Sequence, residues 1–149
     1  MELTEIIKKE CVSFDMELHS KDEVFEYLAN ALFQTNVISS KEKFIKALYY
    51  RESLSETGIG DGIAIPHGKD GTVNEASIAF VRLLHPIKWE SLDEKPIQFI
   101  FLLAIPDSNG QNNTMHIQML SELARSLIRK DVIKKVEQAK TFEDFLAAI

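Results

Sequence analysis

The sequence predicts a single α/β layered domain, and three observations carry that prediction. Two apolar runs rich in Ile, Phe and Val, Ala76 to Leu84 and Ile97 to Ile105, read as interior strands. Hydrophobic residues recur at helical spacing both before and after these runs, so helices are available to cover a sheet. The 149 residues are 45% hydrophobic and 27% charged, the balance of one domain with a complete core, and no linker or internal repeat divides residues 1–149.

The elements follow in order. After a short apolar segment from Cys11 to Phe14, Ser20 with Glu23 three positions on forms a capping-box signal that opens a helix. Val24, Phe25, Leu28, Ala31 and Leu32 share one face of it. Ser39 and Glu42 repeat the signal, and Phe44, Ile45, Leu48 and Tyr49 form the next stripe, in a helix expected to end near Arg51. From Glu52 to Lys69 neither helical nor alternating periodicity holds. Gly58, Gly60 and Gly62 crowd this stretch, which reads as a loop, a short buried strand at Ile63 to Ile65 and a sharp exit through Pro66. A polar loop from Asp107 to Asn113 separates the second apolar run from a long helix starting near Thr114. Leu120, Leu123, Ala124, Leu127 and Ile128 are its inward stripe, and Asp131 and Thr141 cap two shorter helices, with Asp144 completing the second signal.

Composition excludes several functions. A formal charge of −6 and a pI near 5.2 oppose binding to a phosphate backbone, and no cluster of Lys and Arg is interleaved with aromatics, so no nucleic-acid partner is expected. The single cysteine, Cys11, forms neither an internal disulfide nor a thiolate cluster and reads as a packing residue. No apolar run approaches the roughly 20 residues that cross a bilayer, and the start, MELTEIIKKE, lacks a signal peptide's apolar stretch, so a cytoplasmic location is expected. The string GIGDG lacks the Lys and Ser/Thr of a nucleotide loop, and no two histidines stand at helical i, i+4 spacing. Neither a cofactor nor a metal is expected.

Of the four histidines, His67 has the most distinctive setting. It follows a buried apolar triplet and Pro66, whose φ is fixed, and it precedes Gly68, which has no Cβ to crowd an incoming partner. An imidazole with an ordinary pKa of about 6.5 is mostly neutral at cytoplasmic pH and offers a lone pair to a phosphoryl group. The product carries about −1.5 to −2 charge and needs donors nearby. Arg51, just before the glycine stretch, can supply a planar fork of them if the loop folds back, although a cation at a helix C-terminus also serves the macrodipole. Thr57 offers a hydroxyl to the group or, equally, a loop-ordering bond to backbone. His116 falls in the first turn of the long helix, a place that favours an anion and also suits an ordinary surface residue. His19, before a cap, and His85, before Pro86, read as solvated and turn residues.

The stretch Arg51 to Lys69, RESLSETGIGDGIAIPHGK, closely resembles the active-site signature of fructose/mannitol-type IIA domains of sugar phosphotransferase systems, a family that includes nitrogen-regulatory IIA-like proteins. The resemblance extends through Pro86, Ile87 and Trp89, the run FIFLLAIP and the segment HIQMLSELARSL, and so covers nearly the whole chain. It implies a mixed β-sheet flanked by helices on both faces. It further implies that His67 accepts a phosphoryl group from the phosphocarrier HPr and passes it to a cysteine of a IIB component, with Arg51 and His116 as active-site partners. The membrane IIC component is then engaged only indirectly. The expectation is a freestanding phosphotransferase component, of fructose type, with IIB and IIC on other chains; a nitrogen-regulatory role is the alternative.

Overall fold

The computed structural model describes residues 2–107 and 115–149, with the side chains of Met115 and His116 excepted. A 3-10 turn at Leu3–Ile6 leads into strand β1, Ile7–Met16. Helices α1 (Lys21–Gln34) and α2 (Lys41–Leu54) follow, then the short strands β2 (Gly58–Gly60), β3 (Ile63–Ala64) and β4 (His67–Asp70). The long strands β5 (Ser77–Ile87) and β6 (Ile97–Pro106) come next, and helices α3 (Met115–Leu127), α4 (Lys130–Gln138) and α5 (Phe142–Ala148) close the chain.

The six strands form one mixed sheet in the order β1-β5-β6-β3-β2, with β4 also on β6. β5 and β6 are antiparallel, whereas β1 runs parallel to β5, and both β3 and β4 run parallel to β6. Side chains alternate across a strand, and β6 divides accordingly. Ile100, Leu102 and Ala104 pack in the layer of α1 and α2, with Phe25, Leu28, Phe44 and Leu48. Phe99, Phe101, Leu103 and Ile105 pack in the layer of α3 to α5, with Met119, Leu123, Val136 and Phe145. A strand buried on both faces reads as a continuous apolar run, which is why β5 and β6 were legible. The three-layer arrangement agrees with the mixed sheet flanked on both faces.

Local corrections have simple causes. The second helix is capped by Ser40, whose hydroxyl accepts from the Lys43 N–H, while Ser39 turns its side chain to the Thr72 carbonyl. That helix runs three residues past Arg51, leaving Arg51 in its last turn. Arg129, not Asp131, occupies the N-cap position of α4, whereas Thr141 and Asp144 make the reciprocal box that opens α5. In α3 the buried stripe runs through Met119, Leu123 and Leu127; Ile128 lies beyond the helix end and is 75% exposed. His85 lies within β5 rather than in a turn. Of the polar loop expected at Asp107 to Asn113, residues 108–113 lie outside the described residues, as does Thr114.

Candidate functional site

The glycine stretch is a hairpin rather than a loop. β2 and β3 pair antiparallel with Gly60 opposite Ile63, and the two residues between, Asp61 and Gly62, both have positive φ, 57° and 78°. Two consecutive left-handed residues make the turn whose twist suits a tight hairpin, and Asp-Gly is among its preferred pairs. Gly58 is required for another reason. Its backbone lies against that of Glu90 and Ser91, and a Cβ there would fall 2.5 Å from the Ser91 Cβ and 2.7 Å from the Glu90 carbonyl oxygen.

Past the hairpin, β3 and β4 occupy the same edge of β6 in one unbroken register. Ala64 pairs with Ile100 and His67 with Leu103, although Ile65 and Pro66 between them belong to no strand. The break is held by the Ile65 N–H donating to the Thr57 carbonyl at 2.9 Å and the Leu103 N–H donating to the Pro66 carbonyl at 2.9 Å. His67 therefore opens a strand instead of following one, and it is half-buried. Its cross-strand partner Leu103 packs with Met119 and Leu123, so the ring is directed to the α3 side of the sheet. Gly68 does not clear space for a visitor. It is buried, and a Cβ there would meet the Phe44 ring at 2.9 Å and Leu48 at 3.3 Å, so its bareness is what lets α2 lie on β4.

That close packing brings Arg51 to His67. The Arg51 Nε donates to His67 Nε2 at 3.0 Å, and its Nη1 donates to the Ser55 carbonyl at 2.9 Å. Arginine only donates, so Nε2 is the nitrogen with the lone pair. The ring proton then sits on Nδ1, which lies 3.2 Å from the Ile65 carbonyl and donates to it. Two bonds thus fix both the orientation and the tautomer of the imidazole.

Thr57 is 3% exposed, and its hydroxyl is fully committed. It donates to Glu52 Oε1 and accepts from the Trp89 indole N–H at 3.1 Å. The other Glu52 oxygen accepts from Lys21 at 3.0 Å, and Lys21 also donates to Glu90 at 2.6 Å and lies 5.0 Å from the centre of the Trp89 ring. The Glu52 and Lys21 side chains are only 7% and 16% exposed. Burial alone would lower the Lys21 pKa, but the bonds to Glu90 and Glu52 outweigh it and hold the ammonium above the ordinary lysine range. The same bond holds Glu90 below the usual glutamate range. The Thr57 hydroxyl thus bonds two side chains, Glu52 and Trp89, where a loop-ordering bond would have gone to backbone. Glu52, Lys21 and Trp89 were not foreseen as a group. A buried tryptophan N–H that needs an acceptor was the one available signal.

His116 is the second residue of α3, whose later turns pack against Leu103; its side chain lies outside the described residues. His19 is exposed, 3.7 Å from Glu17, and His85 is exposed on β5; neither is part of this cluster. Among the described residues no group of three or more His, Cys, Asp or Glu side chains converges as a metal site, and no helix is long and apolar enough to cross a membrane.

Residues 5–149 match the family described as "Phosphoenolpyruvate-dependent sugar phosphotransferase system, EIIA 2". The chain belongs to that family. Among EIIA 2 relatives, the fructose-specific EIIA component of Haloferax volcanii is 30% identical over 151 residues, covering 99% of this chain and 96% of its own. The fructose-specific EIIABC component of Bacillus subtilis is 34% identical over 95% of this chain, which spans only 22% of that longer protein. The crystal structure of the nitrogen regulatory protein IIA-Ntr from Neisseria meningitidis superposes with a TM-score of 0.88 at 31% identity, covering 97% of both chains. The EIIA 2 fold, a mixed six-stranded sheet between two helical layers, is therefore shared with solved relatives.

Proposed function

We propose that this EIIA 2 domain is the phosphocarrier IIA component of a sugar phosphotransferase system, of fructose type, and that His67 carries the phosphoryl group. The observation that carries the reading is the Arg51 Nε to His67 Nε2 bond, which joins a fixed cation to the unprotonated nitrogen of a fixed ring. Nε2 is then the attacking atom: its lone pair forms the N–P bond while the N–P bond of the donor, phosphorylated HPr, breaks and returns its electron pair to that donor's ring. The proton remains on Nδ1, where the Ile65 carbonyl shares the positive charge the ring gains. For the attack, the Arg51 Nε must yield its place to the incoming phosphorus; anchored through Nη1 at Ser55, the guanidinium can turn to the phosphoryl oxygens. In the second transfer a IIB cysteine sulfur forms the S–P bond as the N–P bond breaks.

His116 is proposed as a further donor to the phosphoryl group, since its helix begins on the side of the sheet to which His67 is directed. Thr57 is proposed to act through the loop it orders. The fructose-specific naming of two relatives supports the sugar, and the EIIABC name of one supports a IIB partner, with IIC engaged only through it. Such a component works in the cytoplasm without metal or cofactor.

The likeness to IIA-Ntr favours a second reading, in which phosphorylation of the same histidine selects a bound protein. Incubation with phosphoenolpyruvate, enzyme I and HPr tests the shared chemistry. Wild type gains about 80 Da, one phosphoryl group, and His67→Ala gains nothing; an unloaded wild type or a loaded His67→Ala overturns the proposal. Discharge by a cognate IIB then separates transport from regulation.

A further inference from the structure

Glu52 stands next to Arg51 in the chain, yet it contributes nothing to His67 directly. Its carboxylate is 7% exposed and turned into the protein, where Lys21 neutralises one oxygen and Thr57 donates to the other. The direction of the Thr57 hydroxyl is forced. The Trp89 indole can only donate, so the hydroxyl oxygen accepts from it and the hydroxyl proton must go to Glu52. With its side chain held from two sides, Thr57 presents its carbonyl to the Ile65 N–H at 2.9 Å, and the carbonyl of that same Ile65 takes the His67 Nδ1 proton at 3.2 Å. A continuous chain of bonds therefore runs from a buried ion pair to the ring proton of His67.

We infer that Glu52 is a positioning residue that sets the reactive tautomer of His67, acting through the Thr57 hydroxyl and the Ile65 peptide. Without it, the Ile65–Pro66 break loses the anchor that aims the Ile65 carbonyl at Nδ1. The Nε2–H form is then opposed by the Arg51 N–H alone and gains population, and a proton there blocks the lone pair that Arg51 meets. Lys21 belongs to the same device. By occupying the Glu52 carboxylate it keeps this acid from drawing off the guanidinium of its neighbour, and among the described residues Arg51 bonds only His67 and Ser55.

The inference deepens the phosphocarrier reading, and its test does not depend on it. The imidazole ¹⁵N shifts of His67 in the unphosphorylated protein report the tautomer directly. Wild type and Thr57→Ser are expected to show the Nδ1–H form, with Nε2 unprotonated. Glu52→Ala and Thr57→Val are expected to show mixed tautomers at unchanged overall fold, and loading from phosphorylated HPr slower by about ten- to a hundredfold, the scale of a reacting group displaced by an ångström. If Glu52→Ala does not fold, the Thr57→Val and Thr57→Ser pair decides the matter through the same spectrum. Wild-type tautomer in Thr57→Val, or a lowered melting temperature with the ¹⁵N pattern unmoved, overturns the inference. Absence of loading in wild type instead overturns the phosphocarrier reading and leaves the tautomer result standing on its own.

Discussion

The Nε of Arg51, in the last turn of α2, donates to Nε2 of His67, the first residue of β4, across 3.0 Å. The two residues come from different layers of the fold, and neither has its position set by the bond alone. Arg51 rides on a helix whose Phe44 and Leu48 pack on Gly68, while His67 is registered against Leu103.

Replacing Arg51 should therefore damage chemistry more than folding. Arg51→Ala is expected to lower the rate of His67 loading about a hundredfold, the usual effect of losing a preorganised donor to developing charge, with a melting temperature within a few degrees of wild type. Arg51→Lys should recover little of the rate, because an ammonium offers no planar fork. Rapid-quench intact mass and thermal scans measure the two quantities.

The Lys21 network should give stability a particular pH profile. Glu90 has its folded pKa lowered by Lys21, so its contribution is complete above the ordinary glutamate range and is lost as pH falls below that range through its folded value. Lys21 has its folded pKa raised by the two carboxylates, so its contribution is complete below the ordinary lysine range and is lost as pH rises through its folded value. Lys21→Met should cost about 2 kcal/mol near neutrality, and the difference from wild type in urea denaturation should shrink toward both pH extremes.

Two glycines make a paired test of close approach. Gly58→Ala drives a Cβ into the Glu90 and Ser91 backbone and should destabilise by about 2 kcal/mol or more. Gly71→Ala meets nothing within 4 Å and is not at positive φ, so it should be neutral or slightly stabilising. Differential scanning calorimetry of the two variants separates a packing requirement from a general dislike of substitution.

Arg82, 6% exposed on β5, ties a distant helix to the sheet. Its Nη1 donates to the carbonyls of Val136, Glu137 and Ala139 at the end of α4, while Nε and Nη2 grip Asp15 at 3.1 Å each. Arg82→Met should lower stability by about 2–3 kcal/mol through the stranded carbonyls and leave His67 loading per folded molecule unchanged, as chemical denaturation and the loading assay on one sample would report.

The approach of Arg51 to His67 was legible because its cues are local: an apolar triplet closed by Pro66, and a guanidinium at a helix end. The ordering of layers was legible because β5 and β6, buried on both faces, leave unbroken apolar runs. The hairpin of Gly58 to Ala64 was obscured by glycines that suit a loop equally well, and the cap at Ser40 by a neighbouring serine of identical type. Thr57 was noticed but not resolved, since its partner Trp89 stands 32 residues away and no periodicity links the two. Gly68 shows a subtler failure. In the sequence its lack of a side chain suggests access for a visitor, whereas in the fold it answers to a helix of the same chain.

That contact between bare backbone and the Phe44 ring acts as a ruler made of carbon. Because it bears no charge, a dianion placed on the neighbouring His67 would exert little direct force on it. The backbones that carry Arg51 and His67 would then hold one spacing whether the ring is loaded or empty, so on the phosphocarrier reading a guanidinium swings and no helix shifts.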